Sequence, residues 1–243
     1  MQKELDWAFL WKNLIQICAK IPTTMYLALL ATFLGVLLGL FIALVKIYKV
    51  PVLRWVATVY VSFIRGTPVL VQLYLVYYGA PWLFLTVTAK LGLASLTENF
   101  NPNNISPAVF ALVTFTMNSG GYLSETLRSA IESIDRGQIE AARSIGLTES
   151  RIMVKIVLPQ VALSALPNLG NSLISMVKDT SLAFSVMVID VMGAAKLIGS
   201  KTLRYLEIYI AVSIVYWVIC IFLECVFMIV EKKMKITKRG LAE

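Results

Sequence analysis

Long apolar runs separated by short charged segments dominate the pattern of this chain. A helix needs about 20 apolar residues to cross the hydrocarbon core of a membrane, and five stretches meet or nearly meet that length. These predicted spans are residues 22–45, 52–79, 107–131, 160–177 and 206–230. Two further apolar pieces, residues 82–96 and 182–199, are short or carry charge, and we interpret them as interfacial or re-entrant. The pattern predicts an all-α membrane protein with about five transmembrane helices, forming a single domain over residues 1–243.

The segment before the first span does not look like a secretory signal peptide. Its sequence, MQKELDWAFLWKNLIQICAKIP, contains acidic residues and lacks a small-residue cleavage site. We expect it to form an amphipathic helix at the membrane interface, with Trp7 and Trp11 as anchors.

Basic residues cluster in the connections and predict the orientation of the spans. With five spans, three clusters fall on one side, and the positive-inside rule makes that side cytoplasmic. The N-terminus is then outside and the C-terminus cytoplasmic, and residues 132–159 form a cytoplasmic loop. Charges on the opposite side, Lys196, Lys201 and Arg204, weaken this bias. The three clusters are Lys46, Lys49 and Arg54; Arg136, Arg143, Arg151 and Lys155; and Lys232, Lys233, Lys235, Lys238 and Arg239.

Composition supports the membrane assignment and argues against nucleic-acid binding. Apolar residues make up 58% of the chain, compared with about 45–50% in soluble domains. The net charge of +8 comes from basic residues that flank apolar spans, which is the pattern required for membrane orientation. We therefore do not interpret the charge as a nucleic-acid footprint.

Several kinds of catalytic chemistry lack the residues they need. The chain has no histidine, the commonest general base and metal ligand. Its three cysteines, Cys18, Cys220 and Cys225, match no zinc spacing and sit among apolar residues. No phosphate-binding Gly-x-x-x-x-Gly-Lys-Ser/Thr motif occurs, so any ATP must be bound by another chain. We expect no metal, no cofactor and no enzymatic activity on this chain.

Small residues recur every four positions in the first span. Gly35, Gly39 and Ala43 would lie on one helix face, which permits close helix packing in lipid. The alternative is that these small residues have no specific partner.

Polar residues interrupt the second and third spans. The sequence Arg65-Gly66-Thr67-Pro68 predicts a helix break, because proline removes a backbone donor. Arg65 and Gln72 are costly in lipid unless they face the protein interior or a water-filled path, although Arg65 is also placed to reach the interface. In the third span, Asn118 and Tyr122 lie one turn apart and are candidates for lining such a path.

Charges and prolines mark the third and fourth spans. Glu125 and Arg128 are three residues apart, share a helix face and are expected to form a structural ion pair. In the fourth span, Pro159 and Pro167 predict a kinked helix.

The segment from Glu140 to Pro159, EAARSIGLTESRIMVKIVLP, predicts a helix, a sharp turn and a second helix. Ala141 and Ala142 are strong helix formers. Gly146 can take the left-handed conformation that ends a helix, and Thr148 suits the cap of the next one. Such a rigid bent segment would suit docking into a groove on another protein, or it is an ordinary solvated helical hairpin.

The spacing of this segment closely resembles the conserved cytoplasmic loop of bacterial ATP-binding-cassette importer permeases, which docks onto the ATPase subunit. The stretches from Phe63 to Gly79, from Gly121 to Arg128 and from Lys178 to Leu182 are similar to permeases for polar amino acids. The resemblance covers about residues 20–230. The matching positions of the docking loop are Glu140, Ala141, Ala142, Gly146, Ile156, Leu158 and Pro159.

The resemblance implies the permease subunit of an amino-acid importer in a bacterial inner membrane. It implies an ATPase subunit that binds the ATP, an extracellular or periplasmic substrate-binding protein, and a second permease in a homodimer or heterodimer. Cystine is the first expected substrate, on the resemblance around residues 178–182 and Phe184, while arginine, glutamine and glutamate remain open. The candidate translocation path is Arg65, Gln72, Asn118, Tyr122, Lys178, Asp179, Thr180 and Ser181.

Lys178 and Asp179 have three possible roles under this interpretation. They are placed to contact the carboxylate and ammonium of an amino acid, to pair with each other, or to meet the substrate-binding protein. Two other classes of protein are alternatives. A secondary transporter would show repeated halves, broken helices in matched positions and buried acids, and a channel would conduct without ATP or a binding protein. A scaffold would not need polar residues such as Gln72 and Asn118 within its spans, and neither class explains the docking loop.

Overall fold

The structure is a computed structural model that describes residues 5–92, 101 and 104–240, with side chains up to residue 234. Within these residues all long regular elements are helices, which confirms the predicted all-α class. A π-helical turn, Met153–Val157, joins α7 to α8, and a 3-10 segment, Thr180–Val186, follows α8. The helices are α1 Trp7–Cys18, α2 Ile21–Ile47, α3 Leu53–Gly66, α4 Val69–Lys90, α5 Pro107–Glu132, α6 Arg136–Ser144, α7 Glu149–Ile152, α8 Leu158–Asp179, α9 Val191–Thr202 and α10 Tyr205–Gly240.

The long helices correspond to the predicted spans. Among the described residues, four helical segments are long and apolar enough to cross a membrane: Ile21–Ile47, Val69–Lys90, Glu149–Val186 and Tyr205–Met234. The remaining predicted span is α5, whose 26 residues would extend about 39 Å. This helix is less apolar because it carries Asn, Ser, Thr and Gly residues, most of which are buried inside the bundle.

The second predicted span is two helices, and the predicted break separates them. Helix α3 ends at Gly66, and α4 begins at Val69 after Pro68, which has no N–H to continue a helix. Residues 82–90 continue α4, which is long and apolar enough to cross a membrane. The interpretation of 82–96 as a separate interfacial or re-entrant piece is therefore wrong for 82–90, and 93–96 lie outside the described residues.

Helices α2 and α5 pack closely along the stripe of small residues. A Cβ added to Gly35 would lie 2.6 Å from the Cβ of Ser119, and one added to Gly39 would lie 3.1 Å from that of Leu123. The contacts advance by four residues on both helices, so α2 and α5 run parallel. The predicted close packing of this face is confirmed, with α5 as its partner.

One end of the bundle holds the segment 132–159. Ala142 of α6 is buried in a core cluster with residues from the end of α2, the end of α5 and the start of α8. Phe227 of α10 lies against Gly170, while Tyr216 reaches Asp190 beyond the far end of α8, so α10 runs toward this same end. The members of the Ala142 core cluster that come from these helix ends are Ala43, Ile131, Val157 and Val161.

The opposite end of the bundle is closed by α1 and α9. Leu10 and Ile17 of α1 are fully buried, while Trp7 and Trp11 remain exposed, as expected for an amphipathic helix. Asp6 caps α1 by accepting from the Phe9 N–H at 3.0 Å and pairs with Arg204 at 2.5 Å. The Phe9 N–H and the Arg204 guanidinium together lower the pKa of the Asp6 carboxyl.

The apolar piece 182–199 is not a separate span, because residues 182–186 end the segment Glu149–Val186 and the rest includes the short helix α9. Its 3-10 segment and α9 fold onto the bundle, and Ala183, Val186 and Ala195 belong to the main core. Asp190 caps α9 through the Gly193 N–H at 2.8 Å, and its other oxygen accepts from Tyr216 at 3.1 Å. Burial raises the pKa of the Asp190 carboxyl, although these hydrogen bonds act in the opposite direction.

Candidate functional site

A polar cavity of about 610 Å³ lies between the α3–α4 break, α5 and α8. Its wall is rich in hydroxyl and amide side chains, and three of its polar residues, Asn168, Asn171 and Ser175, are exposed, so the cavity is open at the surface of the bundle. Polar groups in such a position are costly unless they face a ligand or water. Its main polar lining residues are Asn118, Thr126, Asn168, Asn171, Ser175 and Asp179.

Asp179 carries the one charge among the described residues that line this cavity. Its neighbour Lys178 is exposed and lies outside the lining. Thr180 is fully buried and donates to the Val177 carbonyl at 2.7 Å, and Ser181 is half-buried outside the lining. Of the four candidates in this stretch, the structure brings only Asp179 to the cavity.

Gln72 holds the α3–α4 break together from behind the cavity wall. Its Nε2 donates to the carbonyl of Ile64 at 2.8 Å and to the carbonyl and hydroxyl of Thr67, both at 2.9 Å. Carbonyls at the end of a helix have no partner within that helix, so this side chain replaces the missing donors. Gln72 is 3% exposed and does not line the cavity, although Asn118, which donates to its Oε1 at 3.0 Å, does.

Arg65 and Tyr122 meet at the edge of the same region. The Arg65 guanidinium carbon lies 6.0 Å from the centre of the Tyr122 ring, a cation–π distance. Tyr122 lines the cavity, whereas Arg65 is exposed and lies outside the lining.

An ion-pair network lies near the ends of α2 and α5. Glu125 pairs with Lys46 at 2.6 Å and with Arg128 at 2.9 Å, and Arg128 pairs with Glu132 at 2.6 Å. The predicted pair of Glu125 and Arg128 is confirmed. Lys46 was missed because it is 79 residues away from Glu125 in sequence, and no local pattern links two such positions.

The helix–turn–helix of the segment 132–159 is built around Gly146. This residue has φ of +82°, the left-handed conformation expected of it. The Gly146 N–H donates to the Arg143 carbonyl and the Leu147 N–H to the Ala142 carbonyl, which is the double hydrogen bond of a glycine-terminated helix. Thr148 occupies the cap position of α7, although its side chain makes no capping hydrogen bond.

Part of this segment faces away from the protein. Glu140, Ala141, Gly146 and Pro159 are exposed, Ala142 is buried, and Ile156 and Leu158 are partly buried. Two large apolar side chains that the motif does not include are strongly exposed, namely Ile145 at 78% and Val154 at 61%. The sequence feature that could have indicated the exposure of Ile145 is its position directly before the turn glycine, Gly146.

The start of α8 is widened before its first proline. The π-helical turn Met153–Val157 directly precedes Leu158 and Pro159. Pro159 has no N–H to donate to the carbonyl of Lys155, so the ordinary α-helical pairing is interrupted there. The exposed helix pair therefore joins α8 through a local irregularity.

An open polar cavity along long apolar helices, together with an exposed helix–turn–helix at one end, fits a membrane transport protein. The family of binding-protein-dependent transport system inner membrane components matches residues 35–236. Because this match covers most of the chain, the protein belongs to that family of transport permeases.

Similar proteins agree with this assignment. The L-cystine transport system permease protein TcyL of Bacillus subtilis (strain 168) is 39% identical over 235 residues, which are 97% of this chain and 94% of TcyL. The L-cystine transport system permease protein TcyB of the same organism is 37% identical over 212 residues, covering 87% and 83% of the two chains. The crystal structure of an amino acid ABC transporter with histidines is 32% identical and superposes with a TM-score of 0.78, covering 95% and 100%. The family resemblance drawn from the sequence is confirmed.

Proposed function

We propose that this chain is the permease subunit of an ATP-driven amino-acid importer and that L-cystine is its substrate. The observation that carries the proposal is the open polar cavity lined by α5, α8 and the α3–α4 break. Its volume of about 610 Å³ lies within the range of about 300–1,000 Å³ typical of small-molecule sites. The similarity to TcyL and TcyB supports cystine, with arginine, glutamine and glutamate as the alternatives.

The segment 132–159 is proposed to dock onto a partner ATPase that binds and hydrolyses the ATP. Its exposed surface includes Glu140, Ala141 and Gly146, and Ile145 projects an apolar side chain beside the turn. Its inner surface packs on α2, α5 and α8 through Ala142. A movement imposed on the exposed side is thereby passed to the helices that form the cavity wall. The ATPase must bind two conformations with different affinity for such a movement to drive transport.

We also propose the orientation of the bundle in the membrane and two further partners. We propose that the end closed by α1 and α9 faces the outside and receives a substrate-binding protein. The end with the segment 132–159 and the basic tail is then cytoplasmic, with the N-terminus outside. A second permease, in a homodimer or heterodimer, completes the translocation path.

The proposal is tested by reconstitution. The permease is purified with the ATPase and substrate-binding protein from the same system, placed in proteoliposomes and supplied with internal ATP. We expect radiolabelled L-cystine to accumulate only with ATP and the binding protein present, and unlabelled arginine, glutamine and glutamate to compete weakly. Uptake that follows an imposed ion gradient without ATP would overturn the importer assignment. ATP-dependent uptake of another amino acid in preference to cystine would overturn only the substrate.

A further inference from the structure

The amide of Gln72 has one orientation that fits its surroundings. Its nitrogen lies 2.8 Å from the carbonyl oxygen of Ile64 and 2.9 Å from that of Thr67, and a carbonyl oxygen can only accept. The NH₂ group must therefore face these two oxygens. The amide oxygen Oε1 is then turned toward α5, where Asn118 lies.

The orientation of Gln72 in turn determines that of Asn118. Because Oε1 of Gln72 cannot donate, the Asn118 atom 3.0 Å from it must be the donor Nδ2. The other end of the amide, Oδ1, accepts no hydrogen bond from the residues that the structure describes. Asn118 lines the cavity, so its carbonyl oxygen is the group left for a ligand there. Without Gln72, the two ends of this amide would be free to exchange.

Two groups of the cavity are thus hydrogen-bond acceptors that favour a positive partner. One is the Asn118 carbonyl oxygen on α5, and the other is the Asp179 carboxylate on α8. No lysine or arginine is among the described residues that line the cavity. A ligand carboxylate would be repelled by both acceptors, and its natural partners are the amide and hydroxyl donors of Asn168, Asn171 and Ser175.

We propose that Gln72 is a positioning residue that turns the carbonyl oxygen of Asn118 toward the cavity, where this oxygen and Asp179 receive the ammonium group of the transported amino acid. The inference rests on the proposed function, because it names which end of the substrate each wall of the cavity binds. Gln72 acts through Asn118 and does not touch the substrate.

The experiment measures which end of the substrate the cavity recognises. Binding of radiolabelled L-cystine to the purified permease–ATPase complex is competed with two analogues. L-cystine dimethyl ester keeps the ammonium groups and masks the carboxylates, whereas N,N′-diacetyl-L-cystine does the reverse. The readout is the ratio of the two inhibition constants. If the complex binds L-arginine in place of cystine, arginine methyl ester and N-acetylarginine replace the two competitors.

In the wild type we expect the ester to compete better than the acetylated analogue. Gln72→Leu should reduce this preference about tenfold, the loss expected for one charge-assisted hydrogen bond. Asn118→Leu should reduce this preference equally while leaving the NH₂ group of Gln72 hydrogen-bonded to the α3–α4 break. The double variant should lose no more than either single one, because both act on the same oxygen. Asn13→Leu, which replaces an asparagine of the same 8% exposure in α1, should leave the ratio unchanged.

Three results would overturn the inference. Unchanged ratios of the inhibition constants in Gln72→Leu and Asn118→Leu would show that the Asn118 oxygen does not receive the ammonium. In that case, cystine uptake in the reconstituted system would still support the proposed function. Additive losses in the double variant would show that Gln72 does not act through Asn118. A wild-type complex that neither binds nor transports any amino acid would remove the proposed function as well.

Discussion

Replacing Gly35 by alanine tests the close packing of α2 on α5. The new Cβ would lie 2.5 Å from the Oγ and 2.6 Å from the Cβ of Ser119. Carbon atoms in contact normally lie about 3.5–4.0 Å apart, and the Cβ of Ser119 cannot rotate away. The two helices must therefore separate by about 1 Å. Overpacking of this kind costs about 1–3 kcal/mol, and the better helix propensity of alanine offsets up to about 1 kcal/mol.

A graded series turns this estimate into a measurement. At Gly39 the new Cβ would lie 3.0 Å from the Ser124 nitrogen, so Gly39→Ala should cost less than Gly35→Ala. At Gly79 no described atom lies within 4 Å, so Gly79→Ala is the matched control and should be neutral or slightly stabilising. One kcal/mol shifts the melting temperature of a chain this long by about 2–4 °C. We expect Gly35→Ala to melt several degrees below Gly79→Ala.

The assay is tryptophan-fluorescence unfolding in one detergent at one scan rate, since membrane-protein unfolding is often irreversible. The expected order of melting temperature is Gly79→Ala highest, then Gly39→Ala, then Gly35→Ala. Equal melting temperatures for Gly35→Ala and Gly79→Ala would refute the close approach of α2 and α5.

Three further predictions concern other parts of the molecule. Asp190→Ala removes the cap of α9, which is worth about 0.5–2 kcal/mol, and takes away the acceptor of the Tyr216 hydroxyl. The melting temperature of Asp190→Ala should therefore fall below that of Asp190→Asn, and equal melting temperatures would contradict the capping role. Lys46→Met leaves Glu125 paired only with Arg128 and should cost about 1 kcal/mol in thermal unfolding, given its partial exposure, whereas an unchanged melting temperature would show that the pair contributes nothing. Ile145→Asp should reduce co-purification of the ATPase severalfold at unchanged melting temperature, and full retention of the ATPase would exclude this side chain from the interface.

Much of the helical architecture was predictable because membrane spans are long, apolar and locally encoded. The break at Pro68 and the turn at Gly146 followed from backbone chemistry that acts within a few residues. The sequence prediction separated residues 82–90 from the preceding span because Lys90 is charged. In the structure Lys90 lies in the last turn of α4, where a cation suits the negative end of the helix dipole.

The composition of the cavity wall could not be predicted, because it depends on how each helix is rotated. Lys178 and Asp179 are adjacent in sequence, yet only Asp179 reaches the cavity. Gln72 was predicted as a candidate for the translocation path, but it lies behind the cavity wall. Its partners are the orphan carbonyls at the end of α3, and these become visible only once the break is built.

The central claim is that the segment 132–159 couples an ATPase to this permease, and Gly146→Val tests it most directly. At φ of +82° a β-branched residue costs about 1–2 kcal/mol or more, so the turn should distort while the spans remain intact. The measurement is cystine uptake and ATP hydrolysis in proteoliposomes, with equal permease incorporation, for the wild type, Gly146→Val and the control Gly79→Ala. We predict normal membrane insertion with uptake lost, and with ATPase subunits either released or no longer stimulated by the substrate-loaded binding protein. Normal ATP-driven uptake by Gly146→Val would contradict the coupling role of this segment.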